Sequence, residues 1–157
     1  MFTVSHQALD LEALKAELPD PGAGACVIFE GWIRDTNYDK PVTALDYEVY
    51  EEMALKEGSR VMAEAAEKFD ILAARCAHVA GHLEIGDCAV WVGVTSAHRD
   101  AAFLACRYII DEIKKRLPIW KKEFFANGDT GWVNCEHGSQ SASPAAPVPR
   151  GTSSSTK

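Results

Sequence analysis

Apolar residues recur along this chain with two different periods, and the switches between them predict its elements. From about Glu51 to Phe69, the positions Leu55, Gly58, Met62, Ala65 and Phe69 fall at three- and four-residue intervals. Glu51, Lys56, Glu57, Arg60, Glu64 and Lys68 occupy the remaining surface, the pattern of an amphipathic helix with a solvated face. A second long helix follows Val94-Thr-Ser-Ala-His-Arg99, with Ala102, Cys106, Ile109, Ile113 and Leu117 as its buried stripe. Pro118 holds Leu117 in extended backbone and ends it. A shorter helix, Leu11 to Leu18, is capped by Asp10 and terminated by Pro19-Asp-Pro-Gly-Ala-Gly24.

Between the helices the pattern is that of strands. Ala25 to Ile33 is β-rich and too short for a comfortable helix, and it runs into a loop from Arg34 to Lys40. Val42 to Tyr50 places Thr43, Leu45, Tyr47 and Val49 on one face and is expected to pair antiparallel with the first strand. Two further strands, Ala73 to Leu83 and Cys88 to Val94, flank the turn signal Gly86-Asp87. The second is apolar on both faces, which predicts a central position in its sheet. Gly131 to Asn134 reads as a last short strand. The order α-β-β-α-β-β-α-β favours an α+β fold: a layered domain with a mixed, mostly antiparallel sheet and three main helices. With 157 residues and 47% hydrophobic content, one core and one domain are expected, over 1–137. Ser, Ala and Pro dominate 138–157, where a disordered tail is expected.

Charge adds what periodicity cannot. Between His98 and Glu123 there are seven Lys and Arg (Arg99, Arg107, Lys114, Lys115, Arg116, Lys121, Lys122) against four acids (Asp100, Asp111, Glu112, Glu123), whereas the whole chain carries 16 against 23. An acidic protein has gathered a local anion trap. Ser96 reads as the N-cap of the second long helix, with His98 and Arg99 in its first turn. The helix dipole disfavours cations there, so an arginine in that turn points to an anion that it and the helix N-terminus hold together. A solvated arginine beside an ordinary cap is the plainer reading of the same pattern.

The net charge of −7 argues against non-specific nucleic-acid binding. No apolar run reaches the roughly 18–20 residues of a membrane span and no secretory signal is recognisable, so a cytoplasmic protein is expected. The spacing of five cysteines without a Cys-x-x-Cys pair argues against a zinc site or disulfide framework, and no metal or other cofactor is expected. Cys26, Cys76, Cys88 and Cys106 sit in apolar stretches and read as small buried hydrophobes, leaving Cys135 as the accessible one.

Several ordered blocks carry a resemblance. Gly31-Trp-Ile-Arg34, Tyr47 to Met53, His78…Gly81…Leu83…Gly86-Asp87, Gly93-Val-Thr-Ser-Ala-His-Arg99 and Lys114 through Glu123 together resemble the large, catalytic subunit of molybdopterin synthase, over about Ala25 to Val133. Two departures stand out: Val79 occupies a position where that family often has Arg, and the Ser/Pro-rich tail matches nothing in it.

The resemblance implies a sulfurtransferase step of molybdenum cofactor biosynthesis, in which cyclic pyranopterin monophosphate (precursor Z) receives two sulfurs as a dithiolene and becomes molybdopterin. The sulfur would come from a small ubiquitin-like subunit with a C-terminal Gly-Gly thiocarboxylate, and the assembly would be a homodimer carrying one such partner on each protomer. Lys114 is then the first candidate for catalysis. The dipole at a helix C-terminus favours its charge while Lys115, Arg116 and Lys121 oppose it, and a lysine that releases its proton can act as general base or form a transient adduct. Lys121 would stabilise developing charge, while Arg34, His98, Arg99 and Lys115 would bind the substrate. His78 and His82, four positions apart on one expected strand, read as structural, and Trp120 as a packing anchor. An alternative remains open: a non-catalytic protein that binds a phosphorylated metabolite in the same basic pocket.

Overall fold

The chain builds two sheets where one was expected, and the cleft that matters lies between them. The computed structural model describes residues 1–134. Its elements are β1 (Phe2–Ser5), α1 (Leu11–Ala16), β2 (Ala25–Trp32), β3 (Thr36–Asn37), β4 (Lys40–Val49), α2 (Glu51–Lys68), β5 (Ala73–Val79), β6 (Gly81–Glu84), β7 (Cys88–Ser96), α3 (Arg99–Arg116), β8 (Ile119–Phe125) and β9 (Thr130–Asn134). The expected tail and Cys135 lie outside the described residues.

The first sheet has the order β1-β5-β7-β2, with β1 parallel to β5 and the other pairs antiparallel. As its two-sided apolar pattern requires, β7 is interior, and from Ala89 to Ser96 every residue is buried. Helices α2 and α3 cover one face of this sheet. Val61 and Ala65 of α2 and Ala102, Ile109 and Ile113 of α3 pack with Cys76, Val92 and Val94 in one core cluster. Each fully buried Val or Ile side chain there contributes about 1.5–3 kcal/mol of transfer free energy. The α3 stripe is the one expected. That of α2 is rotated toward Ala54 and Val61, which leaves Leu55 36% exposed.

The second sheet has the order β3-β4-β8-β9, with β6 also paired to β4, and is antiparallel throughout. Val42 to Tyr50 therefore does not pair with β2. The expected Arg34–Lys40 loop contains a two-residue turn, Tyr38 (φ 48°) and Asp39 (φ 63°), that folds β4 back onto β3. Positive φ at both central residues matches the right-handed twist of a hairpin, and its cost of order 1 kcal/mol or more per residue falls at the rim of the cleft. The expected Ala73–Leu83 strand is likewise two strands in different sheets. Gly81, at φ 110°, supplies the left-handed conformation that turns the chain between them. At the junction, Ile33, Leu45, Val79, Leu83 and Ala89 form a second small core.

Strand β1 had no sequence expectation. Its Phe2 ring lies across α2, where a Cβ on Gly58 would sit 2.3 Å from Phe2 Cδ1, so this helical glycine makes room for the first strand. The cap of α3 also differs from expectation. Ser96 still belongs to β7, paired with Ala25, and its hydroxyl donates to the His98 carbonyl at 2.6 Å, so His98 occupies the N-cap position without a side-chain capping bond. Cys26 is exposed because β2 is an edge strand with one face turned outward, while Cys76 and Cys106 are buried and Cys88 is partly so. Burial pushes the Cys88 and Cys106 thiols up to about 11 and that of Cys76 higher still, which suits packing and not nucleophilic chemistry.

Candidate active site

A cleft of about 1030 Å³ opens between β2, α3 and the second sheet. Val27 and Phe29 line it from β2, Arg34, Asn37 and Tyr38 from the segment that leaves β2, and Tyr47, Lys121 and Val133 from β4, β8 and β9. Helix α3 supplies Phe103, Arg107, Ile110, Asp111 and Lys114, positions three, four and seven apart and so on one helical face. A smaller recess of about 140 Å³ shares Arg34, Asn37, Tyr47, Lys114 and Lys121 and adds Glu123. Three cations, two from adjacent elements α3 and β8 and one from the segment after β2, therefore meet around one small space, a setting for an anion.

The two lysines differ in their partners. Lys121 Nζ lies 2.9 Å from Glu123 Oε1, and the Asn37 side-chain amide donates to both Glu123 oxygens, at 2.7 and 2.8 Å. Lys114 makes no ion pair among the described residues. Beneath it, His78, Ile113, Leu117 and Ile119 close the floor of the site. His78 is buried, with its Nδ1 2.8 Å from the Val79 carbonyl, which makes Nδ1 the protonated nitrogen of the neutral ring. Burial above all holds its pKa down at about 4, and the Lys114 charge adds to this while the Val79 hydrogen bond opposes it. Tyr47 packs edge-on against the imidazole, centroids 4.9 Å apart.

Of the six residues expected to form the site, the structure brings together Arg34, Lys114 and Lys121. His98 and Arg99 stand exposed at the far end of α3, about 22 Å along the helix from Lys114. Lys115 is exposed and does not line the cleft. Arg116 turns away to α2, where Glu57 and Glu64 grip it, with Glu64 Oε2 at 2.6 Å, and Glu112 adds a longer contact at 3.4 Å. Glu64 is held down at about 2 by its bonds from Arg116 and from the Tyr108 hydroxyl.

His78 and His82 share no strand face, since they lie in different sheets. The exposed His82 pairs with Asp46 at 2.6 Å. Trp120 is 43% exposed, so it anchors no core, and strand alternation puts it on the face opposite Lys121. Val79 is buried in the small junction core. Asn37, Tyr38, Phe103, Arg107 and Glu123 had no functional expectation. For Arg107 a signal existed, its seven-residue spacing from Lys114, and it pairs with Asp111 at 2.7 Å on the cleft wall. Among the described residues, no group of three or more His, Cys, Asp or Glu is arranged to hold a metal ion.

Chemically, the site can hold an anion with Arg34, set a paired ammonium beside it, and present one lysine that has no counter-ion among the described residues for proton transfer or covalent attack.

Comparison with known proteins leads the same way. The chain is 46% identical over 112 residues to the molybdopterin synthase catalytic subunit of Thermoplasma volcanium, covering 71% of this chain and 82% of that protein. The crystal structure of molybdopterin synthase from Staphylococcus aureus superposes with a TM-score of 0.77 at 32% identity, over 83% of this chain and 94% of that one. A chain from the complex of subunits 1 and 2 of the Helicobacter pylori molybdopterin-converting factor has the same fold, with a TM-score of 0.68 at 21% identity over 87% and 90% of the two chains. The family model described as MoaE protein matches residues 4–116. On that match and that identity, the chain belongs to the MoaE protein family, whose members include the molybdopterin synthase catalytic subunits.

Proposed function

We propose that this chain is the catalytic subunit of a molybdopterin synthase and converts cyclic pyranopterin monophosphate to molybdopterin, taking sulfur from the thiocarboxylated Gly-Gly terminus of a small ubiquitin-like subunit. The observation that carries the reading is the convergence on one recess of Arg34 with Lys114 and Lys121, about 80 residues away in sequence. Lys114 acts as base or transient nucleophile, Lys121 stabilises the charge that develops on the substrate or the departing carboxylate, and Arg34 holds the substrate's anionic end. The cleft is at the upper end of the size usual for small-molecule sites, roughly 300–1,000 Å³, which leaves room for an extended peptide tail beside the pterin. Cysteines with free thiols suit a reducing cytoplasm.

His98, Arg99 and Lys115 bear on the assembly. An arginine about 22 Å from Lys114 cannot grip the small molecule that Lys114 attacks within the same chain. Phe103 and Leu104, 60% and 58% exposed on the intervening turns of α3, offer an apolar surface that a second copy would cover. In a homodimer, His98 and Arg99 reach the substrate of the neighbouring protomer, and Lys115 stays at the periphery. A protein that only binds a phosphorylated metabolite would need the arginines and would have no use for Lys114.

The test is turnover. Purified chain, thiocarboxylated partner and precursor Z should yield molybdopterin, and the yield should collapse in Lys114→Ala. Full activity in that variant would remove Lys114 from catalysis, and binding of precursor Z without product would favour the metabolite-binding reading.

A further inference from the structure

We propose that Glu123 is the positioning residue of this site: its buried carboxylate fixes Lys121 against the recess and ties it to the Asn37 hairpin, assigning the two lysines different work. The inference rests on the sulfur-transfer reading and adds to it a residue and a division of roles.

Glu123 is only 2% exposed. Withdrawing a carboxylate from water costs several kcal/mol unless donors replace the lost hydration. Here three donor contacts do so, one from Lys121 Nζ and two from the Asn37 amide. Glu123 is also the one acid among the residues lining the small recess, where Arg34, Lys114 and Lys121 would otherwise repel one another.

Its placement is rigid. Glu123 and Lys121 are two residues apart on β8 and so share a face, and the backbone at both is paired to β4, opposite Leu45 and Tyr47. Asn37 comes from 86 residues away in sequence and immediately precedes the left-handed Tyr38–Asp39 turn. One carboxylate thus holds a lysine of the sheet interior and the hairpin wall of the cleft in a single register. An ammonium committed to a carboxylate is an electrostatic partner and not a nucleophile, which leaves Lys114, without an ion pair among the described residues, for proton transfer or covalent chemistry.

The experiment is a double-mutant cycle on turnover, using the full chain with its thiocarboxylated partner and precursor Z. Glu123→Gln should lower kcat on the order of 10-fold or more with little change in KM, and should leave the residual rate of Lys121→Ala unchanged, because it acts through that lysine. Glu123→Asp, which keeps the charge on a shorter arm, should recover part of the rate. If Glu123→Gln lowers the melting temperature appreciably, Asn37→Ala takes its place in the cycle and should show the same non-additivity. Equal losses in the wild-type and Lys121→Ala backgrounds would overturn the positioning role and leave the sulfur-transfer reading intact. A fully active Lys121→Ala would overturn both the role of Lys121 and this inference, while Lys114→Ala still reports on the reaction itself.

Discussion

The buried His78 makes the stability of this protein depend on pH in a defined window. Its imidazole is held at about 4 in the folded chain, against about 6.5 in an unfolded one. Between those values the unfolded chain binds a proton that the native state refuses, so stability rises with pH there and is lost as pH falls toward 4. Above 6.5 both states are neutral at this residue and below 4 both are protonated, so the effect is confined to the window. A difference of roughly 2.5 units at about 1.4 kcal/mol each gives a loss of about 3.5 kcal/mol, a large part of the 5–15 kcal/mol typical of a domain. Urea unfolding at half-unit steps from pH 7 to 4.5 measures it, with His78→Asn as the comparison, since the asparagine amide nitrogen matches Nδ1 in position and keeps the bond to the Val79 carbonyl without titrating. The variant should show a much flatter profile between pH 6.5 and 5. An equal slope in both proteins would refute the reasoning. Because the Lys114 charge is one cause of the depression, Lys114→Ala should move the His78 NMR titration toward the ordinary value.

Three further outcomes follow from the geometry. Lys114→Ala should cut turnover by about 100-fold or more while leaving the melting temperature near that of the wild type, because this lysine makes no ion pair among the described residues; comparable loss of both would point to a structural role. Gly58→Ala places a Cβ 2.3 Å from Phe2 Cδ1 and should destabilise by about 1–3 kcal/mol in thermal or urea unfolding, and a neutral result would mean that β1 is not held where it is described. Co-expressed Lys114→Ala and Arg99→Ala chains, each inactive or weak alone, should regain activity as mixed dimers, and light scattering should give about twice the monomer mass. Failure to complement, or a concentration-independent monomer, would exclude the shared site.

The parts legible in the sequence were those decided by local pattern. Apolar residues on both faces put β7 inside its sheet, and the Ala102–Leu117 stripe with Pro118 fixed α3, so Lys114 was expected at a helix end and is found there. What escaped depends on partners distant in the chain. The Ala73–Leu83 run looks continuous because both halves are strand-like, and only the backbone at Gly81 separates them into two sheets. Two-sheet topology turned on Tyr38 and Asp39, a pair without the glycine that usually marks a two-residue hairpin turn. Glu123 closes the Lys114–Glu123 block that carries the resemblance, but no role is legible for it there, and its burial depends on Asn37, whose approach no local rule foretells. His98 and Arg99 are expected at the opposite end of α3 from Lys114 and are found there, which the helical pattern alone decides.

The Lys114-Lys115-Arg116 run, which in sequence is a single block of charge, is sorted by the helix into three directions. Each residue turns the chain about 100°, so Arg116 points roughly 200° away from Lys114. Because Glu57 and Glu64 of α2 grip Arg116 from outside the cleft, they act as a key that fixes the angular setting of α3 and hence the aim of Lys114. Two glutamates that do not line the cleft thereby become determinants of where the Lys114 amine points within it.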